Sequence, residues 1–240
     1  MLKMIQRLDK TISSQMNISR NDARSLIKKG SVTVDGNTLT DVAAKIDAEK
    51  SMIAVDGKPI FFKEHIYIMM NKPQGVVSAT VDPKIKTVID ILPEELKRKN
   101  LFPAGRLDRD TVGFMLITDD GDFAHRILSP SKHVRKTYIA HLRDKLSEDA
   151  RKTLENGAVL SDGTQCMDAL VKIIDDEGKI AEITIREGKY HQIKRMFASV
   201  GNEVQFLKRI SIGSLSLDEM LKEGECREIT ENELSLIEKR

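Results

Sequence analysis

A short stretch at residues 105–110 places four ionisable side chains directly before an apolar run. These side chains are Arg106, Asp108, Arg109 and Asp110. The run that follows, residues 112–117, is typical of a strand that enters a core. A buried strand does not need these charges at its start. They therefore either form a solvated turn or take part in chemistry.

A metal site is one chemistry that this stretch could support. Asp108, Asp110 and the carboxylates of the following TDDGD sequence could surround a hard cation with oxygen ligands. Arg106 and Arg109 would repel such an ion, and TDDGD lacks the alternating ligands and the closing Glu of a calcium loop. We therefore expect no metal, and we expect residues 119–122 to form a turn and a helix N-terminus.

Two other chemistries would use the carboxylates directly. A glycosidase-like pair needs one protonated acid beside one ionised carboxylate, and the two arginines favour the ionised form of both. A single carboxylate held by cations suits instead a reaction whose leaving group never departs. Isomerisation of uridine to pseudouridine is such a reaction: the glycosidic C–N bond breaks, the uracil turns, and C5 bonds to the same ribose carbon. This chemistry needs no cofactor.

Three separate segments resemble the pseudouridine synthases of the ribosomal small-subunit type. They are NKPQGVVSAT (71–80), PAGRLDRDTVGFMLITDDGDFAHRILSPSKHVRKTYIAHL (103–142) and REGKYHQIKRMFASVGNEV (186–204). Within the second segment, HRILSPSKHVRKTY (125–138) is more similar to small-subunit than to large-subunit members. The resemblance implies an enzyme that converts one uridine of small-subunit (16S) ribosomal RNA to pseudouridine.

The resemblance also implies roles for individual residues. Asp108 matches the aspartate of the family's Gly-Arg-Leu-Asp motif; it would attack the ribose C1′ or the ring C6, or remove a ribose proton. Arg106 matches the residue that helps to displace the target base from its stack. Tyr138 would stack on the extracted uracil, and its hydroxyl would assist proton removal. His191 and Gln192 are candidates for acid–base groups by residue type, but we expect them instead to hydrogen-bond to the backbone and orient their segment.

A cation near the aspartate is the third element of the implied site. Lys194 matches this position, and Arg195 is the alternative. In an extended segment these neighbours would point to opposite faces, so that only one of them could reach Asp108; we favour Lys194. Leu215 and Leu217 resemble the apolar segment that lines the base pocket, although they are equally well explained as core residues.

The first 30 residues carry a net excess of five positive charges, and the other 210 sum to −3. In this region Ser19 and Asp22 form a capping pair that begins a helix, Gly30 ends it, and Asp35-Gly36 predicts a hairpin turn. This order resembles the small RNA-binding module of ribosomal protein S4. The basic side chains expected to contact RNA are Arg7, Lys10, Arg20, Arg24, Lys28 and Lys29.

The rest of the chain mixes strand-like and helix-like runs without regular alternation. Strands are predicted at 66–70, 114–118, 137–142, 168–174, 180–186 and 204–207, and helices at 94–99, 121–128, 147–156 and 191–200. This pattern predicts an α+β fold rather than a doubly wound one. We expect a helix-helix-β-hairpin RNA-binding domain at 1–60, a linker at 61–65, and a catalytic domain with a mixed, largely antiparallel sheet at 66–240.

The composition bears on the cellular compartment of the protein. Of the 240 residues, 40% are hydrophobic and 32% charged, no apolar run approaches the roughly 20 residues of a membrane span, and the N-terminus carries no apolar signal segment. Cys166 and Cys226 lack metal-ligand spacing. We therefore expect a cytoplasmic monomer with reduced thiols.

The aromatic content bears on the substrate. With 4% aromatic residues and no Trp, the chain has few side chains on which to stack a long single strand. We expect it to recognise folded ribosomal RNA, free or within a small-subunit assembly intermediate, and to extract one nucleotide. Three alternatives stay open: a large-subunit (23S) rRNA pseudouridine synthase, a non-catalytic rRNA-binding assembly factor, and a metal-dependent RNA hydrolase.

Overall fold

A computed structural model describes residues 4–129 and 134–238. The chain divides into two compact units, Met1–Ile66 with Lys97–Asn100, and Tyr67–Leu96 with Leu101–Arg240. The boundaries expected from the sequence stay a prediction. Residues 130–133, which form part of the small-subunit-like segment, lie outside the described ranges. No helix in those ranges is long and apolar enough to cross a membrane.

The first unit contains two helices and two small antiparallel sheets. Its elements are β1 (Ile5–Arg7), α1 (Leu8–Gln15), α2 (Arg20–Lys28), β2 (Val32–Val34), β3 (Asn37–Thr38), β4 (Lys45–Asp47), β5 (Ile53–Val55) and β6 (Lys58–Ile60). β1 pairs with β4, and the other sheet has the strand order β3-β2-β5-β6. The predicted hairpin, β2–β3, is therefore one edge of a larger sheet.

Local signals explain where the elements of this unit begin and end. The Ser19 side chain accepts a hydrogen bond from the Asp22 backbone N–H at 3.1 Å, which caps α2. Gly30, with φ of 76°, ends the helix, and Asp35 and Gly36, with φ of 51° and 81°, form the hairpin turn. The predicted cap, helix end and turn are confirmed. The helices and sheet bury a core of Leu8, Ile12, Ala23, Ile27, Val32, Val34, Ile46, Ile53 and Val55.

The second unit is built on one large sheet flanked by helices. Its elements are β7 (Tyr67–Lys72), a 3-10 turn (Glu94–Leu96), β8 (Phe102–Pro103), β9 (Val112–Thr118), α3 (Gly121–Leu128), β10 (Lys136–Leu142), α4 (Glu148–Glu155), β11 (Leu170–Ile173), β12 (Ile180–Ile185), α5 (Gln192–Ser199), β13 (Val204–Ile212), β14 (Leu215–Ser216), β15 (Cys226–Glu228) and α6 (Glu231–Ile237). Within the described ranges the sheet has nine strands.

The strand order is β11-β12-β10-β13-β9-β7-β15, with β14 added to β13 and β8 to β9. β13 and β9 run parallel, and the other pairs of this sheet are antiparallel. The predicted α+β fold with a mixed, largely antiparallel sheet is confirmed. Apolar side chains of β7, β9, α3 and α6 form the core beside it, including Met69, Phe114, Leu116, Phe123 and Ile237.

One predicted element is wrong. The helix expected at 94–99 is a single 3-10 turn, Glu94–Leu96. The Leu96 N–H donates to the Pro93 carbonyl at 3.0 Å, three residues back, which is the pattern of a 3-10 turn. The side chains of Arg98 and Lys99 donate instead to the carbonyls of Glu64 and Ile18, which explains why residues 97–100 group with the first unit.

The parallel contact between β9 and β13 depends on a glycine. Gly113 lies opposite Arg209 and has φ of 97°. A Cβ atom at this position would lie 2.3 Å from the Arg209 carbonyl oxygen. The buried Arg209 side chain also donates from Nε to the Phe114 carbonyl at 2.6 Å. The two strands therefore approach too closely for any other residue at position 113.

We predict that Gly113→Ala lowers the free energy of unfolding by roughly 2 to 5 kcal/mol, because left-handed strain and a backbone clash act together. Gly201→Ala is the matched control, since Gly201 has a similar φ of 78° and a Cβ atom there would meet no atom of the described residues within 4 Å. This control should lose only about 1 to 2 kcal/mol. Urea denaturation of both variants measures the difference, and equal losses would contradict the close-approach argument.

Candidate active site

The loop between β8 and β9 is held in place by two neighbouring segments. The Ser78 hydroxyl donates to the Leu107 carbonyl at 2.9 Å and accepts from the Leu107 N–H at 3.0 Å. The Gly75 N–H donates to the Arg109 carbonyl at 2.9 Å, and the Thr111 N–H to the Asp108 carbonyl at 3.1 Å. The backbone on both sides of Asp108 is thus fixed.

A buried lysine ties the same loop to the end of β7. Lys72 is fully buried, and its Nζ donates to the carbonyls of Pro73 at 3.1 Å, Arg109 at 3.3 Å and Thr111 at 2.8 Å. Burial lowers the pKa of Lys72 to about 8, although the nearby carboxylates of Asp110 and Asp108 act in the opposite direction. Lys72 therefore supports the loop and places a positive charge behind its carboxylates.

Two side chains from the start of α5 approach the Asp108 carboxylate. Lys194 Nζ lies 3.4 Å from Oδ2, and His191 Nε2 lies 3.4 Å from Oδ1. Lys194 also donates to Asp110 Oδ1 at 2.6 Å, and this hydrogen bond lowers the pKa of Asp110. One ammonium group is therefore shared by two carboxylates of the loop.

A hydrogen-bonded turn before α5 positions these two side chains. The Gln192 side chain accepts from the Lys189 N–H at 2.9 Å and donates to Glu187 at 2.6 Å. Glu187 also accepts from the Met167 N–H at 2.9 Å and from the Lys189 ammonium. Burial acts to raise the pKa of Glu187, but these hydrogen bonds outweigh it and lower the pKa. His191, at the N-cap of α5, has φ of 46°.

The loop, the start of α5 and strand β10 surround an open pocket. Its lining consists of Arg106, Leu107, Asp108, Thr111, Tyr138, Ile185, Gly188, Lys189, His191, Gln192, Ile193, Lys194 and Leu207. Tyr138 is buried within β10 between Ile183 and Arg209 in the strand register, whereas Arg106 is exposed. A carboxylate, a phenol and several cations thus line one pocket.

The structure brings Arg106, Asp108, Tyr138 and Lys194 together at this pocket. The segment of Lys194 is helical rather than extended, and Arg195 points elsewhere, because it pairs with Asp162 at 2.6 Å. Two of the apolar residues in the lining, Ile185 and Leu207, were not expected from the sequence.

Leu215 and Leu217 do not line the pocket. Both are buried in the core with Phe114, Ile212 and Ile237, because the chain turns at residue 213 and folds β14 back on β13. Their position agrees with the interpretation as core residues, which the sequence left open. It does not agree with the expected place in the base pocket.

In the first unit, three of the six predicted RNA-contacting residues surround one buried carboxylate. Arg7, Arg20 and Arg24 pair with Asp9 at 3.1, 3.3 and 3.0 Å. Burial acts to raise the pKa of Asp9, but the hydrogen bonds from the arginines outweigh it and hold the pKa below its usual range. The arginines keep 42–52% of their side chains exposed. Lys10, Lys28 and Lys29 are exposed.

Lys72, Ser78 and the Glu187–Gln192 contact are the functional features that sequence reasoning did not single out. One sequence feature indicates Lys72: it is a charged residue two positions after the apolar run IYIMM, within the segment NKPQGVVSAT. Ser78 belongs to the same segment. Nothing local to Glu187 indicates that it holds the turn, because its partners at Met167 and Gln192 meet it only in the folded chain.

The fold and the pocket define a class of protein. Residues 66–199 match the RNA pseudouridylate synthase family, and residues 6–50 match the S4 domain. A solved structure described as a pseudouridylate synthase superposes with a TM-score of 0.67 at 36% identity, covering 96% of this chain and 99% of that one. The chain belongs to the pseudouridine synthase family and carries an N-terminal S4 domain, as its motifs predicted.

Two curated relatives extend along nearly the whole chain. A Bacillus subtilis (strain 168) protein named uncharacterized RNA pseudouridine synthase YtzG is 47% identical over 233 residues, which is 96% of this chain and 98% of that protein. The ribosomal small subunit pseudouridine synthase A of Salmonella typhimurium is 42% identical over 234 residues, covering 96% and 99%.

The depressed pKa of Lys72 predicts a pH-dependent effect of its removal. Between about pH 8 and 10 the unfolded chain still binds a proton at this lysine while the folded chain has lost it, so the wild type gains stability with rising pH. Lys72→Met lacks this gain. The variant should lose about 1 to 3 kcal/mol at pH 7, because three carbonyls lose their donor, and about 1 kcal/mol more per pH unit above pH 8.

Denaturant titrations of both proteins from pH 7 to pH 10 measure this difference. Lys179→Met is the control, because Lys179 is exposed in the same unit, and its effect should not change with pH. A Lys72→Met deficit that stays constant, or that shrinks as the pH rises, would contradict the burial of a charged lysine.

Proposed function

We propose that this protein converts one uridine of small-subunit (16S) ribosomal RNA to pseudouridine, with Asp108 as the catalytic carboxylate. The observation that carries the proposal is the meeting of Asp108, Tyr138 and Lys194 at one pocket, with Arg106 at the same site. The small-subunit substrate is supported by the relatives named ribosomal small subunit pseudouridine synthase A, which are 41–42% identical over nearly the full length.

The residues of the pocket suit an isomerisation. In the overall reaction the C1′–N1 bond breaks, a C1′–C5 bond forms, the proton on C5 leaves, and N1 ends as an N–H group. Asp108 begins the reaction by attack at C1′, by attack at C6, or by removal of a ribose proton. The Tyr138 ring stacks on the extracted uracil, and its hydroxyl assists removal of the C5 proton.

The charges around Asp108 have separate roles. Lys194, held between Asp108 and Asp110, balances the carboxylate and keeps it directed into the pocket. Arg106 is exposed at the pocket, where it helps to displace the base and contacts phosphate. Because the overall reaction is an isomerisation, it gains and loses no atoms or electrons, and these side chains suffice for it.

An enzyme acting on ribosomal RNA works where ribosomes assemble, so we place it in the cytoplasm.

The first experiment is a turnover assay on ribosomal RNA with Asp108→Asn. The purified protein is incubated with small-subunit RNA, as transcript and as assembly intermediate, and pseudouridine is mapped by chemical adduct and primer extension. We expect the wild type to modify one uridine. The Asp108→Asn variant should form at least about 1,000-fold less product, and its affinity for RNA should stay within about threefold of that of the wild type. Asp110→Asn, which changes a carboxylate of the same loop, should keep product formation within roughly tenfold.

The other outcomes separate the alternatives. Full turnover by Asp108→Asn would contradict the catalytic assignment. Product on large-subunit RNA alone would keep the chemistry and change the substrate. Tight binding of the wild type without any product would indicate an assembly factor, and cleavage that stops with a chelator would indicate a hydrolase.

We also propose that the first unit contacts RNA phosphates through Lys10, Lys28 and Lys29. Replacing the three lysines by alanine should lower the slope of log affinity against log salt by about two, since each phosphate contact releases a counterion. The variant should keep its thermal stability. Arg24→Ala should differ, because it removes a partner from the buried Asp9 and destabilises this unit.

Filter binding between 50 and 300 mM salt, with thermal denaturation of each variant, tests this assignment. A salt slope that is unchanged in the triple-lysine variant would mean that these lysines form only a solvated surface.

A further inference from the structure

An exposed aromatic ring lies beside the pocket. Tyr190 is 76% exposed, and its ring stacks on the His191 imidazole with centroids 3.9 Å apart and planes at 17°. Stacking on His191 occupies one face of the phenol ring. At this exposure the opposite face is open to solvent, in a chain that has only three tyrosines and no Trp.

This ring is held in place by the turn around it. Lys189 and Gln192, on either side of Tyr190 and His191, are joined by the hydrogen bond between the Lys189 N–H and the Gln192 side chain. Gln192 is buried and bonds to Glu187. His191 has φ of 46°, a left-handed conformation that non-glycine residues adopt at a cost. A preorganised ring loses little freedom when a ligand stacks on it.

The stack begins at the proposed catalytic carboxylate. His191 Nε2 lies 3.4 Å from Asp108 Oδ1, so the two rings form a short column that starts beside Asp108 and ends at the open face of Tyr190. Lys189 and Lys194 line the same pocket as His191. Flat aromatic surface next to cations is the combination that binds nucleobases and phosphates of unpaired RNA.

We propose that the open face of Tyr190 stacks on an unpaired nucleobase adjacent to the uridine that enters the pocket. The inference rests on the proposed function and goes beyond it by naming a second base contact. Extraction of one nucleotide leaves its neighbour without a stacking partner, and Tyr190 takes the place of that partner. The neighbouring base, rather than the uracil at Tyr138, is the occupant, because Tyr190 stacks on His191 and is not among the residues that line the pocket.

The test combines protein variants with abasic RNA. Once the modified uridine is mapped, short RNAs that contain it are synthesised with an abasic nucleotide at each of the two positions on either side. The wild type should lose about 5- to 100-fold in kcat/KM at one of these positions. Tyr190→Leu should show the same loss on the intact RNA, and no further loss on that abasic RNA. Tyr190→Phe should behave like the wild type.

Phe206→Leu is the matched control. Phe206 is also partly exposed and packs edge-on against His141, with ring centroids 5.1 Å apart, but neither ring lines the pocket. This variant should leave every rate unchanged. Thermal denaturation checks that all variants are folded.

Equal losses for wild type and Tyr190→Leu on every abasic RNA would overturn the proposal, as would unchanged kinetics of Tyr190→Leu on intact RNA. The dissociation constants of all variants for full-length small-subunit RNA are measured in parallel. If the wild type forms no pseudouridine, the proposed function fails. In that case weaker binding by Tyr190→Leu, but not by Tyr190→Phe, still supports stacking, and equal binding overturns it.

Discussion

The geometry of the pocket depends on one buried ammonium group. Lys72 Nζ donates to three backbone carbonyls, one at the end of β7 and two in the loop that carries Asp108. Without this donor each of the three carbonyls would lose a hydrogen bond, and only the Arg109 carbonyl has a second donor among those described above, the Gly75 N–H. The resulting cost is about 1 to 3 kcal/mol. The same nitrogen attracts the carboxylates of Asp108 and Asp110. One side chain thus fixes the loop backbone and offsets part of its negative charge.

At the start of α5 a second ammonium group, that of Lys194, is held by side-chain carboxylates instead of backbone carbonyls. Lys194 lies closer to Asp110, at 2.6 Å, than to Asp108, at 3.4 Å. Asp110 therefore holds the ammonium group in position, while Asp108 keeps room for a substrate atom. The left-handed His191 costs about 1 to 2 kcal/mol. It is maintained because the hydrogen bonds from the Lys189 N–H to Gln192 and from Gln192 to Glu187 over-determine the turn. This turn places an imidazole and an ammonium group each 3.4 Å from one carboxylate.

The features that could be predicted from sequence are those that neighbouring residues determine. Ser19 and Gly30 mark the ends of α2 by their own hydrogen bonds and torsion angles, and the apolar residues 112–118 form a central strand. The mixed sheet followed from runs without regular alternation. The motif residues Arg106, Asp108, Tyr138 and Lys194 line one pocket. Their meeting could be predicted because the resemblance to a family supplied long-range information that periodicity does not contain.

The features that could not be predicted involve partners distant in sequence. Leu215 and Leu217 are apolar in either a core or a pocket, and only the return of β14 along β13 places them in the core. The helix expected at 94–99 is only one 3-10 turn, and the side chains of Arg98 and Lys99 bond to Glu64 and Ile18, which are distant in sequence.

The basic side chains of the first unit show that sequence periodicity does not predict charge pairing either. Periodicity places Arg20 and Arg24 on one face of α2, but it does not reveal that both turn to the buried Asp9, together with Arg7. The planar guanidinium group suits this task, since it offers several donors in a fixed arrangement, whereas lysine is a flexible point charge. Three arginines around one carboxylate still leave two net positive charges on half-exposed side chains. The cluster is therefore a rigid cationic surface, and Asp9 fixes its geometry without cancelling its charge.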